Sequence, residues 1–211
     1  EYLQFLRDIC TENKSLLIFD EVISGFRIGF TGAAGYYHIK PDIITYGKII
    51  GGGLPVGAYG SSAAIMSHVS PEGNVYQAGT LSGNPVAMAA GIAQLTECLK
   101  KGFYEELEKK TKLFAQEINS RLAISSWQKK INLKIFSIGS IFWLAFTKKQ
   151  KIQSAGEIDP ESMKHFKKFY HALLKQGIYL GPSGYEVGFV SQAHTGKDLQ
   201  KTAKIIAEFL C

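Results

Sequence analysis

Leu16-Leu17-Ile18-Phe19 is a run of four apolar residues that stops at Asp20-Glu21-Val22. A short run of this kind is expected as a strand buried on both faces of a parallel sheet, with helices on its flanks. It delivers a carboxylate, Asp20, to the carboxyl end of the strand, the edge at which open α/β sheets bind ligands. Upstream, Leu3, Leu6 and Ile9, with Phe5 beside them, have the spacing of a helix that packs on such a sheet. The chain starts at Glu1 and enters this helix at once, so it is expected to open in the middle of a βαβ series, as a truncated protein.

The rest of the chain reads as two parts. Glycines at 29, 32 and 35 and a Pro41-Asp42 turn precede short strands at 43–45 and 56–59 of the same sheet. A helix over 85–101 follows, with Val86, Ala89, Ala93 and Leu95 expected among its buried positions and Gly102 as its stop. A second helix over 103–122, charged through Glu105, Glu106, Glu108 and Lys109, bridges to a smaller part. There, strands are expected at 133–136, 141–146 and 178–180, a mobile loop at 148–157, and a helix at 160–176 with Asp159 as N-cap. Ile141-Phe142-Trp143-Leu144-Ala145-Phe146 is apolar on both faces, as a strand under helices would be. Thr195 caps a last helix whose stripe is Leu199, Ala203, Ile206 and Leu210. The expected organisation is an α/β domain over residues 1–105 followed by a small α+β domain over 106–211.

Chemistry concentrates in the first part. Lys48 sits between the strand-like Ile43-Ile44-Thr45 and the cluster Gly51-Gly52-Gly53. A lysine beside glycines is most often a solvated loop residue, and an acidic pair after a strand is most often a cap. An amine where the chain leaves a strand and turns sharply can also form a Schiff base with a carbonyl cofactor. Asp20 with Lys48 28 positions on suits pyridoxal phosphate, the carboxylate pairing the pyridinium nitrogen and the amine holding the aldehyde. Gly79, Thr80 and Ser82 then lead into a helix start, with Asn84 as N-cap and Pro85 at the first helical position, and offer backbone and hydroxyl donors to a phosphate. Val22 faces the same side of its strand as Asp20. His38 and His194 have no carboxylate and nucleophile at recognisable spacing and read as structural, and Tyr46, two residues before Lys48, reads as strand packing.

Four collinear segments resemble the class III branch of the fold-type-I pyridoxal phosphate enzymes. They are Asp20-Glu21-Val22-Ile23-Ser24-Gly25-Phe26-Arg27, the stretch from Tyr46 to Gly57, Gly79-Thr80-Leu81-Ser82-Gly83-Asn84-Pro85, and the stretch from Gly177 to Thr195. The resemblance spans nearly the whole chain and is weakest over about residues 100–135. Gly25-Phe26-Arg27 lacks the glycine that general class III aminotransferases place between the aromatic and the arginine, and Gly47-Lys48-Ile49-Ile50 is similar to the aminomutases of the branch.

The resemblance implies part of a fold-type-I large domain followed by the small C-terminal domain. It makes Lys48 the cofactor-anchoring lysine, Asp20 the pyridinium partner and Val22 the residue against the ring. Gly79 joins the cofactor-binding residues, Thr80 would reach the phosphate of a neighbouring subunit's cofactor in a homodimer with shared sites, and Glu186 matches a glutamate near the substrate pocket. It further implies isomerisation of glutamate-1-semialdehyde to 5-aminolevulinate through the pyridoxamine phosphate form. A class III omega-aminotransferase, or an inactive piece that only dimerises, stands beside that reading.

Composition excludes little. Hydrophobic residues make up 45% of the 211, as in an ordinary globular protein, and no apolar run approaches the ~20 residues that span a bilayer. No leader-like start is present, so a cytoplasmic setting without membrane association is expected. The net charge of +6 falls in lysine clusters around 100–101, 109–112, 129–134, 148–151 and 164–168, away from Asp20, Lys48 and Thr80. No nucleic-acid motif accompanies them, and a solvated basic face that draws anionic substrates is the reading. Cys10, Cys98 and Cys211 lack metal or redox spacing, so free thiols and no metal are expected.

Overall fold

Strand β1, Ile18–Asp20, runs parallel to β2, Ile43–Tyr46, with Ile18 opposite Ile43 and Asp20 opposite Thr45. Antiparallel to β2 lies β3, Ala58–Ser61, giving a three-stranded sheet in the order β1-β2-β3. A parallel pair needs a crossover, and here it holds the loop after Asp20 and the short helix α2, Gly32–Tyr36. The structure, a computed structural model, describes residues 1–124 and 132–209, and divides after Tyr104 into two units.

In the first unit, α1, Tyr2–Glu12, is tied down by Arg7, whose guanidinium meets the Asp42 carboxylate at 2.7 Å. That same carboxylate accepts the backbone N–H of Leu17 at 2.7 Å, so one side chain fixes the entry to β1, the turn before β2 and the helix. After β3 come α3, Ala63–Met66, and α4, Pro85–Cys98, which starts as its sequence dictates. The Asn84 side chain accepts the N–H groups of Val86 and Ala87, and Pro85 occupies the first turn.

The face that α4 buries is not the expected one. Ala87, Gly91 and Cys98 are buried, whereas Val86, Ala89 and Ala93 are exposed and Leu95 is only partly covered. The reason is a close backbone approach. A Cβ on Gly52 would stand 2.5 Å from the Ala90 carbonyl oxygen, and one on Gly91 would collide with the Ile50 carbonyl oxygen. Small residues therefore take the contact and the larger ones turn outward.

The expectation that β1 is covered on both faces also fails within this chain: Leu17 is buried and Phe19 partly so, but Ile18 is 56% exposed and Asp20 is exposed. No element of the first unit lies over that face. The apolar composition of the strand marked it as a core strand, whereas its burial depends on what stacks upon it.

The second unit contains most of α5, Phe103–Ile124, and a hairpin of β4, Leu133–Ile138, with β5, Ile141–Phe146, closed at Gly139 (φ +54) and Ser140. Helix α6, Ser162–Lys175, strand β6, Gly188–Phe189, and helix α7, Gly196–Phe209, complete it. Phe114 and Ile118 of α5, Leu133, Phe142 and Leu144 of the sheet, Phe169 and Leu173 of α6 and Ile206 of α7 are buried. Full burial of such a side chain stabilises by roughly 1.5–3 kcal/mol.

Two expectations shift here. Residues 178–180 are irregular, and the third strand is β6, paired antiparallel to β5 at Ile141 and Phe142. The apolar triplet looked strand-like, but pairing goes to the segment whose Gly188 lets the backbone lie over the Phe142 ring. Asp159 accepts the Glu161 N–H in the turn before α6, which begins two residues later than that cap would place it. Thr195 does cap α7: its hydroxyl accepts the Asp198 N–H and the Asp198 carboxylate accepts the Thr195 N–H, a reciprocal box. Leu210, Cys211 and the lysines at 129 and 130 lie outside the described residues.

Candidate cofactor site at the carboxyl edge of the first sheet

Because β1 and β2 are parallel, their carboxyl ends share one edge. Asp20 ends β1, and Gly47 and Lys48 follow β2 directly. The Asp20 carboxylate accepts the Val22 N–H at 3.0 Å and, at 3.4 Å, the Thr45 hydroxyl of the neighbouring strand. Val22 reaches across to the lysine segment: a Cβ on Gly47 would lie 3.2 Å from Val22 Cγ1. The structure thus brings Asp20, Val22 and Lys48 to one edge.

Lys48 has φ +49, in the left-handed region that a non-glycine residue occupies at a cost on the order of 1–3 kcal/mol. Such a conformation persists only where the surroundings enforce it. Gly47 is extended before it, and the 3-10 turn Lys48–Gly51 follows, ended by Gly52 at φ +57. That turn is pinned from behind by Gly91 of α4. Lys48 is exposed in this chain, as is Asp20.

Gly79 and Thr80 stand on the loop before α4, where the Ser82 N–H is donated to the Gly79 carbonyl at 2.9 Å. Thr80 is exposed, and Gly79 and Ser82 border an open cavity of about 540 Å³ with Pro55, Val56, Gly57 and Met88. Glu186 belongs to the second unit. With Tyr179, Gly181, His194 and Lys201 it lines a cavity of about 610 Å³. His194 accepts the Ser191 N–H at 2.9 Å through Nδ1, in keeping with a structural role.

One residue at this edge escaped the sequence reading. Glu21, between Asp20 and Val22, is 1% exposed and is the most deeply buried acidic group described. Its carboxylate accepts the N–H groups of Ala33 and Ala34 at 2.8 and 2.6 Å and the Ser24 hydroxyl. Gly32, at φ +61, packs on it so closely that a Cβ would stand 2.5 Å from Oε2. Strand alternation was the available signal, since the residue after Asp20 is expected to point opposite to it, into the unit. Nearby, burial first and then the Glu21 carboxylate push the Tyr46 phenol above its ordinary pKa.

Among the described residues Cys10 and Cys98 are free, and no group of three or more His, Cys, Asp or Glu side chains is arranged to hold a metal. The donor set at the edge suits pyridoxal phosphate: an acceptor for a pyridinium N–H, a branched apolar side chain for a ring face, and an amine for an aldehyde.

Comparison with known proteins agrees with this chemistry. The sequence pattern of the family described as Aminotransferase class-III matches residues 1–208. A glutamate-1-semialdehyde 2,1-aminomutase of Legionella pneumophila (strain Lens) is 48% identical over 204 residues, 96% of this chain and 46% of that protein. The chain therefore spans about half the length of the curated relatives it matches. Among solved structures, an omega-transaminase from Sphaerobacter thermophilus superimposes with a TM-score of 0.84 at 28% identity, over 99% of this chain and 47% of the other. A glutamate-1-semialdehyde-aminomutase from Pseudomonas aeruginosa PAO1 in complex with PMP shares the fold, with a TM-score of 0.80 at 20% identity over 98% of this chain and 46% of the other. With the family pattern running through both units and the fold shared with solved transaminases, this chain belongs to the class-III aminotransferase family.

Proposed function

We propose that this chain is part of a glutamate-1-semialdehyde 2,1-aminomutase, in which Asp20, Val22 and Lys48 hold pyridoxal phosphate. The observation that carries the reading is Lys48 itself: an amine held at φ +49 immediately after β2, on the edge where β1 delivers Asp20. The 48% identity to the Legionella aminomutase supports the choice of reaction.

When bound, the cofactor supplies an electron sink that makes a proton on the nitrogen-bearing carbon of the substrate removable. With the cofactor bound, Asp20 would hold a proton on the ring nitrogen and Val22 would pack against one ring face. Lys48 Nζ would anchor the aldehyde carbon and, when free, would take and return the proton at the reacting carbon as general base and acid. The net change moves an amine between adjacent carbons and needs no external amine donor.

A homodimer is part of the proposal. Val86 and Ile92 of α4 and Leu99 at its C-cap, at 67, 69 and 64% exposure, are large apolar side chains left uncovered in the helix that follows the Gly79-Thr80 loop. In the proposed dimer a second copy covers these side chains, and Thr80 is the residue assigned to the partner's cofactor phosphate. Glu186 is assigned to the substrate pocket, and the setting to the cytoplasm; no helix among the described residues is long and apolar enough to cross a membrane.

Borohydride trapping of the full-length protein with pyridoxal phosphate, followed by peptide mapping, tests the site. Label at Lys48 is expected, and Lys48→Ala should abolish it; label on another residue refutes the assignment. An omega-aminotransferase reading draws on the likeness to solved transaminases such as the Sphaerobacter enzyme. Turnover of the semialdehyde with neither amine donor nor keto acid added separates the two. Because Lys48 and Asp20 are both exposed here, residues 1–211 alone are expected to show weak or no activity.

A further inference from the structure

A carboxylate sealed inside a unit of about a hundred residues needs partners, because an unpaired one costs several kcal/mol. Glu21 has found them in the backbone. Both of its oxygens accept N–H groups from the first turn of α2, twelve and thirteen residues along the chain, and the Ser24 hydroxyl adds a third bond. It does the work of a helix cap from a distance, since the local N-cap position, Thr31, makes no side-chain cap bond.

The backbone of Glu21 is fastened equally well. Its N–H donates to the Thr45 carbonyl on β2 at 2.9 Å, and its carbonyl accepts the Gly25 N–H at 2.8 Å. Four segments therefore converge on one residue: the ends of β1 and β2, the turn at Ser24-Gly25, and α2. Asp20 and Val22 are its two chain neighbours: Asp20, the last residue of β1, is exposed, and its carboxylate accepts the Val22 N–H at 3.0 Å. Any rotation of the backbone at Glu21 swings both.

From this geometry we infer that Glu21 is a positioning residue of the cofactor site, setting the orientation in which Asp20 meets the ring nitrogen and Val22 the ring face. The inference rests on the reading of Asp20 and Lys48 proposed above. Glu21 touches neither substrate nor cofactor; it acts through its neighbours. Gly32 belongs to the same device, because its positive φ and lack of a Cβ are both required beside the carboxylate.

The test uses the full-length protein and pyridoxal phosphate. Glu21→Gln keeps the shape but turns one acceptor oxygen into a donor facing a backbone N–H. In the cofactor-free protein, amide exchange at Ala33 and Ala34 should accelerate about tenfold or more, and the dissociation constant for pyridoxal phosphate should rise by a similar factor. The visible absorption of the bound cofactor should shift its pH midpoint, as Asp20 is displaced from the ring nitrogen. Ser24→Ala, which removes only the hydroxyl bond, gives the same changes in smaller measure and serves if Glu21→Gln does not fold. Ile206→Val, a buried change in the second unit, should lower the melting temperature and leave cofactor affinity and spectrum alone.

Faster exchange at Ala33 and Ala34 with unchanged affinity and spectrum would reduce Glu21 to a structural cap and overturn the inference. So would an Ile206→Val variant that weakens the cofactor equally. Failure of the underlying site reading shows separately, as borohydride label that survives Lys48→Ala.

Discussion

Gly91→Ala sets two physical effects against each other, and their signs differ. Within a helix, replacing glycine by alanine stabilises by about 1 kcal/mol, because the unfolded chain has less freedom to lose. At Gly91 the new methyl would fall on the Ile50 carbonyl oxygen, inside the 3.0 Å below which Cβ contacts are essentially not found, with the carbonyl carbon at 3.4 Å. A carbonyl in a tight turn cannot rotate away as a long side chain can. Either α4 or the turn Lys48–Gly51 must move, and overpacking of this kind costs typically 1–3 kcal/mol.

The expected net effect is a loss of about 1–2 kcal/mol of stability in the full-length protein, read from urea unfolding midpoints at constant slope. The moving part matters more. Lys48 opens the displaced turn, and a shift of about 1 Å in a reacting group costs on the order of a hundredfold in kcat/KM. Stabilisation by about 1 kcal/mol with cofactor affinity unchanged would show that the helix and turn do not press on each other, and the packing account of the Lys48 conformation would fail.

Tyr104 donates its hydroxyl to the Phe26 carbonyl at 3.0 Å, and Phe26 is itself held at φ +57, its ring against Phe30 and Tyr46. Tyr104→Phe should cost about 1 kcal/mol and speed proteolytic cleavage between residues 22 and 31, measured by timed digestion; unchanged cleavage would show that the bond does not restrain the loop. Asp42 gives a pH signature. The Leu17 N–H first, and then the Arg7 guanidinium, hold its carboxyl below the usual carboxylate range, so its contribution is fully present above the unfolded-state pKa of about 3.9 and is lost as pH falls through the lower folded value. Asp42→Asn should therefore be less stable than the parent at neutral pH, with the gap closing below about pH 4 in urea titrations.

Much of the geometry of the candidate site was legible in the sequence. Leu16 to Phe19 and Ile43 to Thr45 read as strands of one sheet, with Asp20 following the first and Lys48 the second, and β1 and β2, which are parallel, bring both to one edge. Asn84 and Thr195 were readable as caps because a cap is made within three residues of its helix. The same locality explains the misses. Residues 178–180 are apolar enough for a strand, but pairing fell to Gly188-Phe189, beside Phe142.

Sequence alone determined the helix starts at Asn84 and Thr195, the extended runs of β1, β2 and β5, and the carboxylate and amine that follow them, because dihedral preference and hydrogen bonding within a few residues decide these. Only the tertiary structure decided that α4 buries Ala87 and Gly91 rather than Val86 and Ala93, that Lys48 sits at φ +49, and that Glu21 caps a helix twelve residues away. Those outcomes depend on how near two backbones can come, a distance that spacing along one chain does not encode.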